Sequence, residues 1–92
     1  MAGHKKTFGP ASQQVAVNVR ILRKMQDLTT AALSRRLDEL GQPIRDTGIT
    51  RIETGDRRVD VDDLVALAQA LGVTVNDLLF GEVTVTIAGG ER

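Results

Sequence analysis

The sequence predicts an all-α domain of five short helices followed by one short β-strand. Three observations lead there. Apolar residues recur three and four apart through most of the chain, as on the buried face of a helix. Each such run stands between helix-starting residues, mostly Thr or Asp, and helix-stopping glycines. The apolar stock is aliphatic, with two Phe and no Trp or Tyr among 92 residues, which favours helices packed through Leu, Val, Ile and Ala. That length and an apolar fraction of 41% support one core and not two.

The elements follow in order. Residues 1–11 are small, polar or basic and show no periodicity, so a flexible arm is expected. From Ser12, the positions Val15, Val19 and Leu22 recur at helical spacing with Arg20, Arg23 and Lys24 mostly off the stripe, and a first helix is expected to about Gln26. Leu28 begins a turn. Thr29 then caps a second helix whose buried side is Leu33, Leu37 and Leu40, with Gly41 and Pro43 ending it. Ile49 and Ile52 share one side of a short third helix, about residues 46–54, which Gly55 stops. Asp60, with Asp63 three residues on, starts a fourth helix that buries Val61, Leu64, Leu67, Ala68 and Leu71 before Gly72. Thr74 and Asp77 repeat that signal for a fifth, where Leu78, Leu79 and Phe80 make the apolar contact before Gly81. In the tail, Val83, Val85 and Ile87 alternate with Thr84 and Thr86, a strand pattern. A lone strand leaves its backbone groups unpaired, and pairing across a homodimer is the expected remedy, ahead of a partner chain or fraying. The domain plan is therefore an arm (1–11), a folded body (12–81) and a dimerisation tail (82–92).

The inventory of reactive side chains argues against an enzyme. The chain has no cysteine and one histidine, His4, which falls in the arm; no metal or cofactor set, glycine-rich phosphate loop or Ser-His-Asp arrangement can be drawn from the rest. Asp62 and Asp63 are adjacent at the start of the fourth helix, where carboxylates serve the helix dipole. No apolar run approaches the roughly 20 residues of a membrane span, and MAGHKKTFGP lacks the apolar stretch of a signal peptide. A soluble, cytoplasmic protein is expected.

Formal net charge is zero, yet the charges are not evenly spread. Nine bases face six acids between Arg20 and Arg58, while from Val59 onward one base faces six acids. A chain that turns one face to phosphate and keeps the other solvated shows such asymmetry. The segment IRDTGITRIETGDRR concentrates it, with Arg45, Arg51, Arg57 and Arg58 and only three large apolar residues, Ile44, Ile49 and Ile52.

LTTAALSRRL, ITRIETGDRR and VDVDDLVALAQALGVTVNDLL, taken in that order, resemble the second helix, the third helix and the fourth-to-fifth helices of Cro and phage-repressor type helix-turn-helix domains. The resemblance covers residues 15–80. It implies a compact repressor-like fold that inserts its third helix into the DNA major groove, and it explains why that helix is poor in apolar surface. Carried over by position, base contacts are implied at Arg45, Asp46, Thr47, Thr50 and Arg51, and phosphate contacts at Thr29, Thr30, Arg57 and Arg58. Arginine bridges guanine O6 and N7, and a carboxylate accepts from a cytosine amino group or orients a neighbouring arginine. One of the two threonines, Thr47 or Thr50, is expected to bond back to a helix carbonyl instead. Arg23 and Glu53 stand where the family has an ion pair that fixes the third helix to the body.

The sequence departs from the family pattern at four places. Gly48 stands where a larger residue is usual, and either admits a close approach or weakens the helix by about 1 kcal/mol. Thr30 replaces a common glutamine. Asp27 replaces a common glycine. The connection over residues 38–44 is longer than the family's tight turn, so the second helix is expected to continue through Leu40, with Gln42, Pro43 and Ile44 returning the chain. Double-stranded DNA is the expected partner of a homodimeric regulator, a repressor in its simplest form, without cofactor. The competing reading is a protein-interaction module or antitoxin of the same fold that uses its tail strand to augment a partner's sheet.

Overall fold

Helices form where the start and stop residues stand. The computed structural model describes residues 8–81, and these hold α1 (Pro10–Met25), α2 (Thr30–Glu39), α3 (Asp46–Glu53), α4 (Val61–Leu71) and α5 (Val75–Phe80). The strand expected over residues 83–87 lies outside the described residues. α1 starts two residues before Ser12, because Pro10 occupies its first turn, where a missing N–H costs nothing and the fixed φ suits a helix. Residues 10 and 11, expected in the arm, thus belong to α1.

The caps are made by the side chains that the sequence offers for them. Thr29 accepts from the Ala32 amide at 3.0 Å to start α2. Both α4 and α5 carry the reciprocal arrangement, Asp60 with Asp63 and Thr74 with Asp77. Gly72 ends α4 at φ 74°, a left-handed conformation that suits a residue without Cβ. Asp27 is the one non-glycine residue among those described that takes a positive φ, 55°; it does so in the position where the family's glycine would stand, and Asp tolerates that region better than most residues.

The core gathers Val15 and Val19 of α1, Leu33 and Leu37 of α2, Ile49 and Ile52 of α3, Leu67 and Leu71 of α4 and Leu78 of α5. α1 packs against α3, α4 and α5, and α2 lies against α3 and α4. Three residues expected inside are outside: Val61 is 75% exposed, Phe80 73% and Leu40 45%. Leu40 caps the end of α2, where the chain turns away at Gly41. Val61 is the first residue of α4, whose buried residues, Asp63, Ala66, Leu67, Ala68, Ala70 and Leu71, begin two positions later on a carboxylate. Leu22 and Leu64 pack only partly against the core.

Carbonyls at two helix ends also accept polar groups from neighbouring helices. Asn18, buried at 1% exposure, donates its amide group toward the carbonyls of Leu78 (3.0 Å), Gly81 (3.2 Å) and Asp77 (3.3 Å), and so closes the end of α5 from within α1. The end of α4 has no basic residue of its own. Gln26 donates to Leu71 O at 2.8 Å and Arg36 to Ala70 O at 2.8 Å, which fastens α4 to α1 and α2.

Candidate nucleic-acid interface

The connection into α3 is built to return the chain tightly. Gln42 donates its amide to Leu37 O, the Ser34 hydroxyl donates to Ile44 O at 2.6 Å, and Ile44 is buried beneath. α3 then begins without a side-chain cap, since its N-cap is Arg45. Asp46 supplies the negative charge favoured in a first turn, and its Oδ1 accepts from the Thr47 amide at 2.8 Å.

Around α3, successive side chains turn by about 100°. Ile49 and Ile52 fall on the body side and are buried; Asp46, Thr47, Thr50 and Arg51 fall within one outward arc and are all exposed, as is Arg45 just ahead of them. The Thr50 hydroxyl donates to Asp46 O at 3.2 Å, so Thr50 is the threonine that bonds back, while Thr47 engages through its amide alone. Gly48 faces inward. A Cβ there would meet Ile44 Cγ2 at 3.0 Å and Arg57 Nε at 4.0 Å, so the space that the glycine leaves is taken by the returning connection.

The far end of α3 is clamped. Arg23 Nε donates to Glu53 Oε2 at 2.7 Å and Arg23 Nη2 to Glu53 Oε1 at 2.9 Å, a bidentate pair whose side chains are 12% and 7% exposed. Arg23 Nη1 also donates to Leu28 O at 2.7 Å, so one guanidinium ties α1, the α1–α2 turn and α3. The Glu53 hydrogen bond raises the Arg23 pKa, against the smaller opposing effect of burial.

A family model for the helix-turn-helix matches residues 19–78. The chain belongs to the Cro/C1-type helix-turn-helix family. As a helix-turn-helix protein it is a DNA-binding regulator and not an enzyme. Among solved structures, the P22 c2 repressor protein, in complex with a synthetic operator, has a similar fold: TM-score 0.63, 24% sequence identity, covering 74% of this chain and 96% of that one. No curated protein matches significantly. Among the described residues, no helix is long and apolar enough to cross a membrane, and no cluster of His, Cys, Asp or Glu is fit to hold a metal.

Within this helix-turn-helix, the residues implied as base contacts come together on the open face of α3. Those implied as phosphate contacts divide. The Thr29 hydroxyl is occupied as a cap and Thr30 is half-buried at the start of α2. Arg57 turns inward, its Nη1 shared between Asp63 Oδ2 and Arg58 O, both at 3.3 Å. Arg58 is exposed, with its guanidinium 4.7 Å from the centroid of the Phe8 ring.

Asp63 is the functional neighbour that the sequence reading places only as a cap. It is 3% exposed, and beyond its bond with the Asp60 amide it accepts from Gln42 Nε2 at 3.1 Å and from Arg57. One carboxylate thereby joins the connections on both sides of α3. The signal was present: Asp63, Ala66, Leu67, Ala70 and Leu71 form an uninterrupted helical stripe. Phe8 carries no such signal, since it stands in a stretch without periodicity.

Proposed function

We propose that the protein is a sequence-specific transcriptional repressor that acts in the cytoplasm as a homodimer, with α3 in the major groove of its operator. The outward arc of α3 carries the reading. Arg45, Asp46, Thr47, Thr50 and Arg51 are exposed together on a helix held down by two buried isoleucines, and the major groove, roughly 12 Å wide, admits one helix. Arg45 and Arg51 are the side chains suited to guanine, Thr47 to a thymine methyl, and Asp46 to a cytosine amino group. Thr50, with its hydroxyl turned back, offers its methyl group. The amides at the start of α2 and the Arg58 guanidinium meet phosphates. Arg57, held by Asp63, contributes charge more than contact. Residues Val83, Val85 and Ile87 pair the two copies, and two-fold binding to DNA calls for half-sites about one helical turn, roughly 34 Å, apart.

Selection of bound sequences from a random duplex library, at low and at physiological salt, tests this. An inverted repeat with half-sites at that spacing is expected. Absence of enrichment at both salts would overturn sequence-specific binding. Arg51→Ala is expected to lose base preference at one position of each half-site, by about 1–3 kcal/mol of discrimination, measured by competition between the selected site and single-base variants.

A further inference from the structure

Arg57 and Arg58 are adjacent in sequence and held in different ways. Arg57 is held through Nη1, which Asp63 and a backbone carbonyl share. Among the described residues, the Arg58 guanidinium has only the Phe8 ring, 4.7 Å away at the centroid. A ring occupies the flat face of a guanidinium and leaves free the N–H groups in its plane, which are the groups that recognise a phosphate. Phe8 is itself fixed to α1. Its carbonyl accepts Gln13 Nε2 at 2.6 Å, and the next carbonyl, that of Gly9, accepts the Gln13 amide at 3.1 Å. The ring also lines an open groove of about 360 Å³ whose other walls include Ala16 and Val17 of α1, Ile52 of α3 and Val59. The contact therefore links the start of α1 to the loop after α3.

We propose that Phe8 is a positioning residue for DNA binding: it stacks on Arg58 and presents that side chain's N–H edge to a backbone phosphate. The inference rests on the reading of Arg58 as a phosphate contact. Without the ring, Arg58 samples many rotamers and must lose that freedom on binding. With it, part of the loss has been met by the fold.

The test is binding of the full-length protein to a random-sequence duplex of about two helical turns (roughly 20 base pairs), because phosphate contacts do not depend on sequence. Affinity is measured over a salt series for the wild type, Phe8→Ala, Phe8→Leu, Phe8→Tyr, Arg58→Ala and the double variant Phe8→Ala with Arg58→Ala. Arg58→Ala is expected to lower the salt slope by about 1 for each bound protomer. Phe8→Ala and Phe8→Leu are expected to weaken binding about two- to five-fold, Phe8→Tyr to restore it, and Phe8→Ala to have no effect once Arg58 is gone. Leucine keeps the apolar bulk without the π face, so Phe8→Leu binding as the wild type does would overturn the proposal. So would an equal loss from Phe8→Ala in both backgrounds, which would mean that the ring acts through the fold while Arg58 keeps its role. An unchanged affinity and slope for Arg58→Ala would remove the phosphate contact itself, and the proposal with it.

Discussion

Helices α3 and α4 follow one another in the chain and are held in place by opposite means. α4 has a reciprocal cap at its start, a left-handed glycine at its end and an apolar stripe between. α3 has no side-chain cap, a glycine in its first turn and two buried residues among eight. A segment of that length and composition does not form a helix in isolation. It is held from outside, by Ser34 and the buried Ile44 ahead of it, by Ile49 and Ile52 beneath it, and by Arg23 on Glu53 behind it. A helix that keeps most of its surface open to a ligand has little left with which to fix itself. Polar ties from its neighbours take over.

The comparison is broken most severely at Glu53. Glu53→Ala leaves Arg23 mostly buried with one carbonyl partner, and is expected to cost about 3 kcal/mol in urea unfolding, with DNA binding lost at temperatures where α4 remains helical. A loss under about 1 kcal/mol would mean that Ile49 and Ile52 hold α3 by themselves.

Asp63 tests whether the two helices are independent. Asp63→Ala removes the return half of the α4 cap and leaves the Gln42 side chain without its acceptor and Arg57 with Arg58 O alone, for an expected cost of about 2 kcal/mol. Asp60→Ala, which removes only the capping oxygen, is expected to cost about 1 kcal/mol. In the Asp63 variant the freed Arg57 also becomes available to phosphate, so nonspecific DNA affinity is expected to rise relative to stability. Equal losses for the two variants would make Asp63 a cap and nothing more.

What could be read in the sequence follows the same division. Thr29, Asp60 with Asp63, and Thr74 with Asp77 announce their helices within four residues, and all three caps form as the local chemistry requires. The open face of α3 was legible for a related reason, since Ile49 and Ile52 fix which side is buried and the remaining positions follow from the helical period. The ties that hold the ends were not. Asn18 meets carbonyls about sixty residues away in sequence, and Gln26 and Arg36 meet the end of α4; no local pattern carries such a contact. Arg23 with Glu53 was anticipated only through the family resemblance. Arg57 and Arg58 look alike in sequence and differ in the fold because one lies within reach of Asp63 and the other of Phe8.

The smallest expected effect separates the charge of a cap from its hydrogen bonds. In α5, Asp77 Oδ2 accepts the Thr74 amide at 3.0 Å while Thr74 Oγ1 accepts the Asp77 amide at 2.9 Å. The hydrogen bond that the carboxylate accepts from the Thr74 amide first, and a contribution from the nearby Thr74 hydroxyl second, lower the Asp77 pKa from its ordinary value of 3.8. A carboxylate whose pKa is lower folded than unfolded adds stability that is complete above the unfolded value and disappears as pH falls through the folded one. Asp77→Asn keeps an acceptor oxygen and loses the charge. Its melting temperature is therefore expected to lie slightly below that of the wild type at neutral pH, with the two curves converging below the ordinary carboxylate value. A difference that persists unchanged into strong acid would assign the cap to hydrogen-bond geometry alone, and α5 would then be held by Thr74 and by Asn18 from the opposite end.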